Sequence, residues 1–284
     1  MTDVFHASSA GRTAIPALST GADDMLRVGE TARGVVEEIA SMLQGVEDTS
    51  IPVPRSEWTV GDHGAHLAYT NIGFGMFAMG LEYPYGDGTR AGLAEANESF
   101  LYGFDERGGP ELAQHLRVGV KNFLAQVAVQ PPDKECFSPL GRMPLSTLTS
   151  YFLIHNLMHG SAISAGLNRP FPARPEHMPM VWPLLVHAFP TFVTESSMRG
   201  LSGCVHVHVK GVLDAVFEMD GSRLVLLDAP TGSVDCYVEA EPVHYFLVMM
   251  KMLTVEEAVA LEQISISGAD PALFGRMMDA IDVP

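Results

Sequence analysis

Apolar positions along the chain fall into two regimes. From Asp24 onward, Met25, Val28, Ala32, Val35, Val36, Ile39, Met42 and Leu43 recur at i, i+3, i+4 spacing with charges between them, which predicts an amphipathic helix. Pro52 and Pro54 break the chain. A second helix then opens with Thr59 as N-cap and Asp62 three residues on, as in a capping box. Trp58 precedes the cap and is placed to staple against His63. Residues 83–89 are rich in turn formers. A third helix is expected from about Thr89 into Gly103, and a fourth after Pro110 through Leu112, Leu116, Val120 and Leu124. A strongly apolar helix is expected from about Leu145 to Gly166, with Gly166 as its stop.

Four prolines among residues 168–179 mark the best domain boundary, and beyond them the period changes. Residues 204–210 (CVHVHVK) alternate with period two, as a half-buried strand does. Residues 213–219, a turn at 220–222 and residues 223–228 read as a hairpin. Further strands are expected at 233–239 and 263–267, and helices at 241–253, 254–261 and 270–281. Residues 1–22 show no period and read as a flexible tail. The expected organisation is therefore α+β with two domains, 23–170 helical and 171–284 mixed.

Charge and composition remove several function classes. The 284 residues carry 17 Lys plus Arg and 34 Asp plus Glu, a net charge of −17. No basic cluster appears, which argues against nucleic acid and against an anionic membrane surface as partners. The excess is uneven: residues 175–284 hold 15 acids and 5 bases, whereas the first 174 hold 19 and 12. The longest apolar stretches are too short to span a bilayer, and the N-terminus lacks the basic and apolar regions of a signal peptide. The three cysteines, Cys136, Cys204 and Cys236, form no CxxC motif, so a cytoplasmic location fits best.

The candidate chemistry lies in histidines. His155 and His159, at i and i+4 on the apolar helix, project from one face, as two imidazoles offered to one metal ion do. The alternative is a pair of structural histidines. Buried imidazoles need partners, and a metal would serve both. A third ligand would come from another helix, and His66 is the natural candidate.

The segment Trp58–Leu67, followed some ninety residues later by His-x-x-x-His on a late helix, resembles the DinB/YfiT-like superfamily. That resemblance implies a four-helix bundle holding one divalent metal through three side chains, here His66, His155 and His159. The hairpin, the DCYVEAEP passage and the ISISG strand before a last helix resemble a sterol-carrier-protein-like domain, an α/β sandwich. The two in this order resemble the mycothiol-dependent maleylpyruvate isomerase family. Its late-helix pattern Glu-x-x-x-His-x-x-Asp is departed from here, with His155 at the Glu position and Ala162 at the Asp position. An imidazole in place of a carboxylate leaves the metal charge uncompensated and makes a stronger Lewis acid.

The resemblance implies a metal-dependent enzyme, zinc being the first choice among metals that imidazoles suit. Its cosubstrate would be a low-molecular-weight thiol, mycothiol, and its substrate a small electrophile. The tri-His set favours S-transfer or a specialised biosynthetic step over maleylpyruvate isomerisation. No protein cysteine needs to be catalytic. Arg90 and Asn97, at i and i+7 on the third helix, are the candidate substrate-binding residues. His63 and Asp62 read chiefly as helix-start residues, His206 and His208 as one exposed strand face, and Met249, Met250 and Met252 as core filling. Two other readings stand beside this one: a metal hydrolase using bound water, and a non-catalytic small-molecule binder with a structural metal. The expected state is a monomer or homodimer.

Overall fold

The computed structural model describes residues 5–7, 21–82, 85–86, 90–170, 172–181, 184–185, 192–227 and 229–281. The chain divides into two compact units, one of Ser19–Leu184 and the other of Leu185–Pro284 together with Met1–Leu18. No helix among the described residues is long and apolar enough to cross a membrane.

The first unit is helical. Its helices are α1 (Ala22–Gln44), α2 (Val60–Met79), α3 (Arg90–Gly103), α4 (Gly109–Val127) and α5 (Leu145–Gly166). Thr59 and Asp62 form the expected capping box at the start of α2, and a proline lies in the first turn of α4. Four helices form a bundle in which α1 and α2 each pack on both α4 and α5, while α3 packs on α2. The core is built from Val36, Ile39 and Leu43 of α1, Leu67 of α2, Leu112, Leu116 and Phe123 of α4, and Leu148, Phe152 and Leu153 of α5.

Gly166 ends α5 as its sequence suggests, and packing makes a second demand for glycine there. A Cβ there would lie 2.7 Å from Val60 and 3.0 Å from Val53, so close approach requires it. The left-handed residue beyond α5 is Asn168 (φ 51°), and the Arg169 N–H closes back on Ser164 O at 2.8 Å. The unit boundary also lies later than 170/171. Ala173, Met178 and Val181 are buried, and the Arg174 guanidinium bonds Glu38 of α1 at 3.1 Å. The prolines therefore punctuate this segment without detaching it from the bundle.

Two polar side chains sit in the middle of that apolar bundle. Asn71 of α2 and Asn156 of α5, both wholly buried, exchange reciprocal amide bonds of 3.0 Å each. Asn156 also donates to Phe152 O at 2.8 Å. Opposite Asn71, a Cβ on Gly119 would come within 2.8 Å of the Asn71 Cβ, so α4 presses against this pair. Asn156→Ala leaves the Asn71 amide buried and without its side-chain partner, with an expected loss of about 1–3 kcal/mol in urea unfolding. Replacing both residues by leucine should recover part of it, and equal losses in the single and double variants would contradict the pairing.

The second unit carries a six-stranded sheet. Its elements are β1 (Phe5–Ala7), a short α6 (Glu195–Met198), β4 (Ser202–Val209), β5 (Leu213–Asp220), β6 (Leu224–Leu227), β7 (Cys236–Ala240), α7 (Pro242–Met249), α8 (Val255–Ala260), β8 (Ile264–Gly268) and α9 (Leu273–Ala280). Strands β2 (Glu135–Cys136) and β3 (Met143–Pro144) form a small separate ladder in the first unit. The sheet order is β1-β6-β5-β4-β7-β8. The β4/β5, β5/β6 and β7/β8 pairs are antiparallel, and β4/β7 and β1/β6 are parallel. Register places Val205 beside Cys236 and Phe217, and Val207 beside Val238 and Ala215, on one buried face. His206 and His208 share the other face, where His206 Nε2 lies 2.6 Å from Asp214 Oδ1. The N-terminal segment, aperiodic in sequence, supplies β1 through three residues, too few to show a period.

Candidate metal centre

Two adjacent helices build the site. Helical spacing puts His63, His66 and Tyr69 of α2 at i, i+3 and i+6, and Tyr151, His155 and His159 of α5 at i, i+4 and i+8. Where α2 and α5 pack, one ligand atom from each of His66, His155 and His159 lies within 4.8 Å of the others. No fourth His, Cys, Asp or Glu joins this group among the described residues. His66 is 2% exposed and His155 and His159 are 8% exposed each, while Asn156 and Leu157 between them are wholly buried.

Hydrogen bonds assign the tautomer of His66. The Tyr69 hydroxyl donates to Asn97 O at 3.2 Å, so at 2.6 Å its oxygen accepts from His66 Nδ1–H. The lone pair of His66 is then on Nε2, which lies 3.0 Å from His155 Nε2. Two nitrogens bound to one tetrahedral ion at roughly 2.0–2.1 Å stand about 3.3 Å apart. His155 Nδ1 is buried with no hydrogen-bond partner. Donor type, convergence and spacing thus fit a divalent cation.

Burial governs the protonation of these rings. It lowers His155 to about 3. His63 falls to about 4 for the same reason, against the opposing pull of Asp62. His66 and His159 lie well below the ordinary histidine range, first through burial and then through neighbouring imidazoles. All four rings are therefore neutral near pH 7, the form that ligates metals.

Trp58 closes one side. Its ring stacks on His159 with centroids 6.0 Å apart and also meets His63 at 5.2 Å and His66 at 5.1 Å. The staple expected with His63 is thus part of a wider cover. Asp62 combines its cap role with an ion pair to Arg107 at 3.0 Å. Arg107 also donates to the carbonyls of Leu101, Phe104 and Glu106, fastening the end of α3 to the start of α2. Burial pushes the Asp62 carboxyl up, but hydrogen bonds from Thr59 and Arg107 outweigh it and hold it below the usual value.

Asn97 lies one step from the imidazoles. Its carbonyl receives Tyr69, and its side-chain oxygen receives the Tyr85 hydroxyl. Arg90 opens α3, but its side chain lies outside the described residues. Sequence reasoning missed Tyr69, the Asn71–Asn156 pair and the reach of Trp58. The first had a legible signal, since His-x-x-His-x-x-Tyr repeats every three residues on one helix face.

No family model matches the chain, and no curated protein matches it by sequence. Among solved structures, mycothiol-dependent maleylpyruvate isomerase superposes with a TM-score of 0.50 and 12% identity, over 80% of this chain and 88% of that one. A histidine-to-alanine mutant of it gives 0.52 with the same identity and coverage. The fold is similar to that of mycothiol-dependent maleylpyruvate isomerase. A UbiJ-SCP2 ubiquinone synthesis protein also matches, with a TM-score of 0.28 and 18% identity, over 32% of this chain and 80% of that one. At 12% identity the likeness to the isomerase concerns the path of the chain, and the chemistry has to be read from the side chains described above.

Proposed function

We propose that the chain is a metal-dependent enzyme that uses a low-molecular-weight thiol, mycothiol by resemblance, in an S-transfer or isomerisation on a small electrophilic metabolite. In this reading the first unit is a DinB-like bundle and the second a sterol-carrier-like domain. His66, His155 and His159 hold one divalent ion, zinc as first choice, and Arg90 and Asn97 contact substrate. The convergence of three neutral imidazoles within 4.8 Å, with no carboxylate among them, carries the proposal.

When bound, a divalent ion on three imidazoles supplies an uncompensated positive charge that lowers the pKa of a thiol entering its coordination sphere. The residues do the rest. Tyr69 fixes the ring of His66 by its Nδ1–H bond. Trp58 covers His66 and His159 on one side and limits water there. Low dielectric around the buried rings strengthens the charge felt by an anionic sulfur. A thiolate adding to an activated alkene would permit rotation about the former double bond before it leaves; on an alkyl carbon it would displace a leaving group.

Metal analysis combined with thermal-shift screening tests this reading. The purified protein should hold one equivalent of divalent metal, and mycothiol at about 100 times its Kd should stabilise the loaded form by about 2.7 kcal/mol while leaving the metal-free form unmoved. Metal without any thiol response would remove the thiol-using reading and leave hydrolysis by bound water as the chemistry of the same site.

A further inference from the structure

We infer that His63 is a positioning residue for the metal, holding His159 in the orientation and tautomer that ligation needs through a buried chain from Ser56 to His63 to His159. The inference rests on the metal reading above and concerns a side chain outside the ligand set.

His63 Nδ1 lies 3.0 Å from His159 Nδ1, and His63 Nε2 lies 3.0 Å from Ser56 Oγ. The Trp58 backbone N–H donates to the same Ser56 oxygen at 3.1 Å. His63 is itself 6% exposed, and its ring is held by the edge of Trp58. These bonds can run in only two directions. In one, Ser56 O–H donates to His63 Nε2 and His63 Nδ1–H donates to His159 Nδ1, so the His159 proton must sit on Nε2. In the other, His159 Nδ1–H donates to His63 Nδ1, and His63 Nε2–H donates to Ser56 Oγ. Only the second leaves the His159 Nε2 lone pair free, and in it Ser56 Oγ accepts two donors, as an sp³ oxygen can. Every buried nitrogen of this chain then has a use, so a loaded site selects this direction.

The three ligands are consequently supported unequally. Tyr69 orients His66, His63 orients His159, and nothing among the described residues bonds Nδ1 of His155. Partners that orient ligating imidazoles typically change metal affinity 10- to 100-fold when removed.

The test measures zinc affinity by competition with a chromophoric chelator, and records the visible spectrum of the cobalt(II)-loaded full-length protein. His63→Leu should bind zinc roughly 10- to 100-fold more weakly than wild type. His63→Asn, whose side-chain oxygen can accept in place of Nδ1, should recover most of the loss. The cobalt spectrum should keep its tetrahedral intensity in both variants. Far-UV circular dichroism of the metal-free proteins checks folding, and His63→Phe replaces the leucine variant if that one does not fold. Wild-type affinity in the apolar variant overturns the inference. So does failure of His63→Asn to recover affinity, or a changed coordination number, which would make His63 a ligand itself. Wild-type protein that binds no zinc at all would overturn the metal reading and this inference with it, whereas zinc bound equally by wild type and the apolar variant overturns this inference alone.

Discussion

His159→Ala should empty the metal centre. The ring of His159 lies among the other imidazoles, with centroids 4.4 Å from His66, 4.7 Å from His155 and 5.2 Å from His63. Structural zinc sites, which set the scale, bind the ion with apparent free energies of about 10–16 kcal/mol shared among their ligands. One of three protein ligands therefore carries on the order of 3 kcal/mol or more, over a hundredfold in affinity. Elemental analysis after dialysis should show one equivalent in wild type and less than about a tenth in the variant on that affinity loss. Because the rings are neutral when metal-free, the variant should retain wild-type helical content at pH 7.5. A full equivalent of metal in folded His159→Ala would refute the three-histidine centre.

The metal-free bundle should be unusually sensitive to acid. In an unfolded chain a histidine protonates near pH 6.5. In the folded protein burial lowers His63 to about 4 and His155 to about 3, with His66 and His159 also well below their ordinary value. Below pH 6.5 the unfolded state thus binds more protons than the native state. The stability these rings allow is fully present above about pH 6.5 and is lost as pH falls toward 4 and 3. His63 and His155 each contribute about 1.4 kcal/mol per pH unit inside their windows, about 3 together, and His66 and His159 act in the same direction. A domain at the low end of ordinary stability, about 5 kcal/mol, would then unfold about two units below pH 6.5. Circular dichroism of metal-free protein titrated from pH 7.5 to 3.5 should show this transition, with a shallower slope in His63→Leu. Undiminished stability at pH 4.5 would contradict neutral burial of the four rings.

Local patterns were the legible part of the molecule. The capping box at Thr59 and Asp62 is a three-residue device, and it forms as read. The apolar helix expected from about Leu145 to Gly166 has those bounds, and the alternating strand at 204–210 lies within two residues of β4. Each depends on neighbours a few positions away. The His66, His155 and His159 cluster was legible because helical spacing fixes a face and the resemblance paired the two faces. What stayed hidden depends on long-range packing. Asn71 and Asn156 are separated by 85 positions, and either amide alone reads as an ordinary polar residue. The engagement of His63 with His159 requires two ring orientations that no spacing encodes. The parallel pairing of β4 with β7, and of β1 with β6, joins segments whose contacts are non-local. Proline content marked a boundary near 170, but the buried side chains of Ala173, Met178 and Val181 decide where the bundle ends.

The Asn71–Asn156 pair has a consequence for how such a centre can change over time. A single replacement at either position strands the other amide, while a paired replacement by apolar residues can be nearly neutral. The frame that sets α2 against α5 is therefore inherited as a unit and resists drift one step at a time. His155 stands immediately beside Asn156 on the same helix, yet no hydrogen bond among the described residues fixes its Nδ1. Of the three proposed ligand positions, this one could be exchanged, imidazole for carboxylate, with no loss of a hydrogen bond at Nδ1 and without touching the Asn71–Asn156 frame. If the three imidazoles hold a metal as proposed, a lineage built on this bundle could retune its preference for that metal at one position while its scaffold stays where it was.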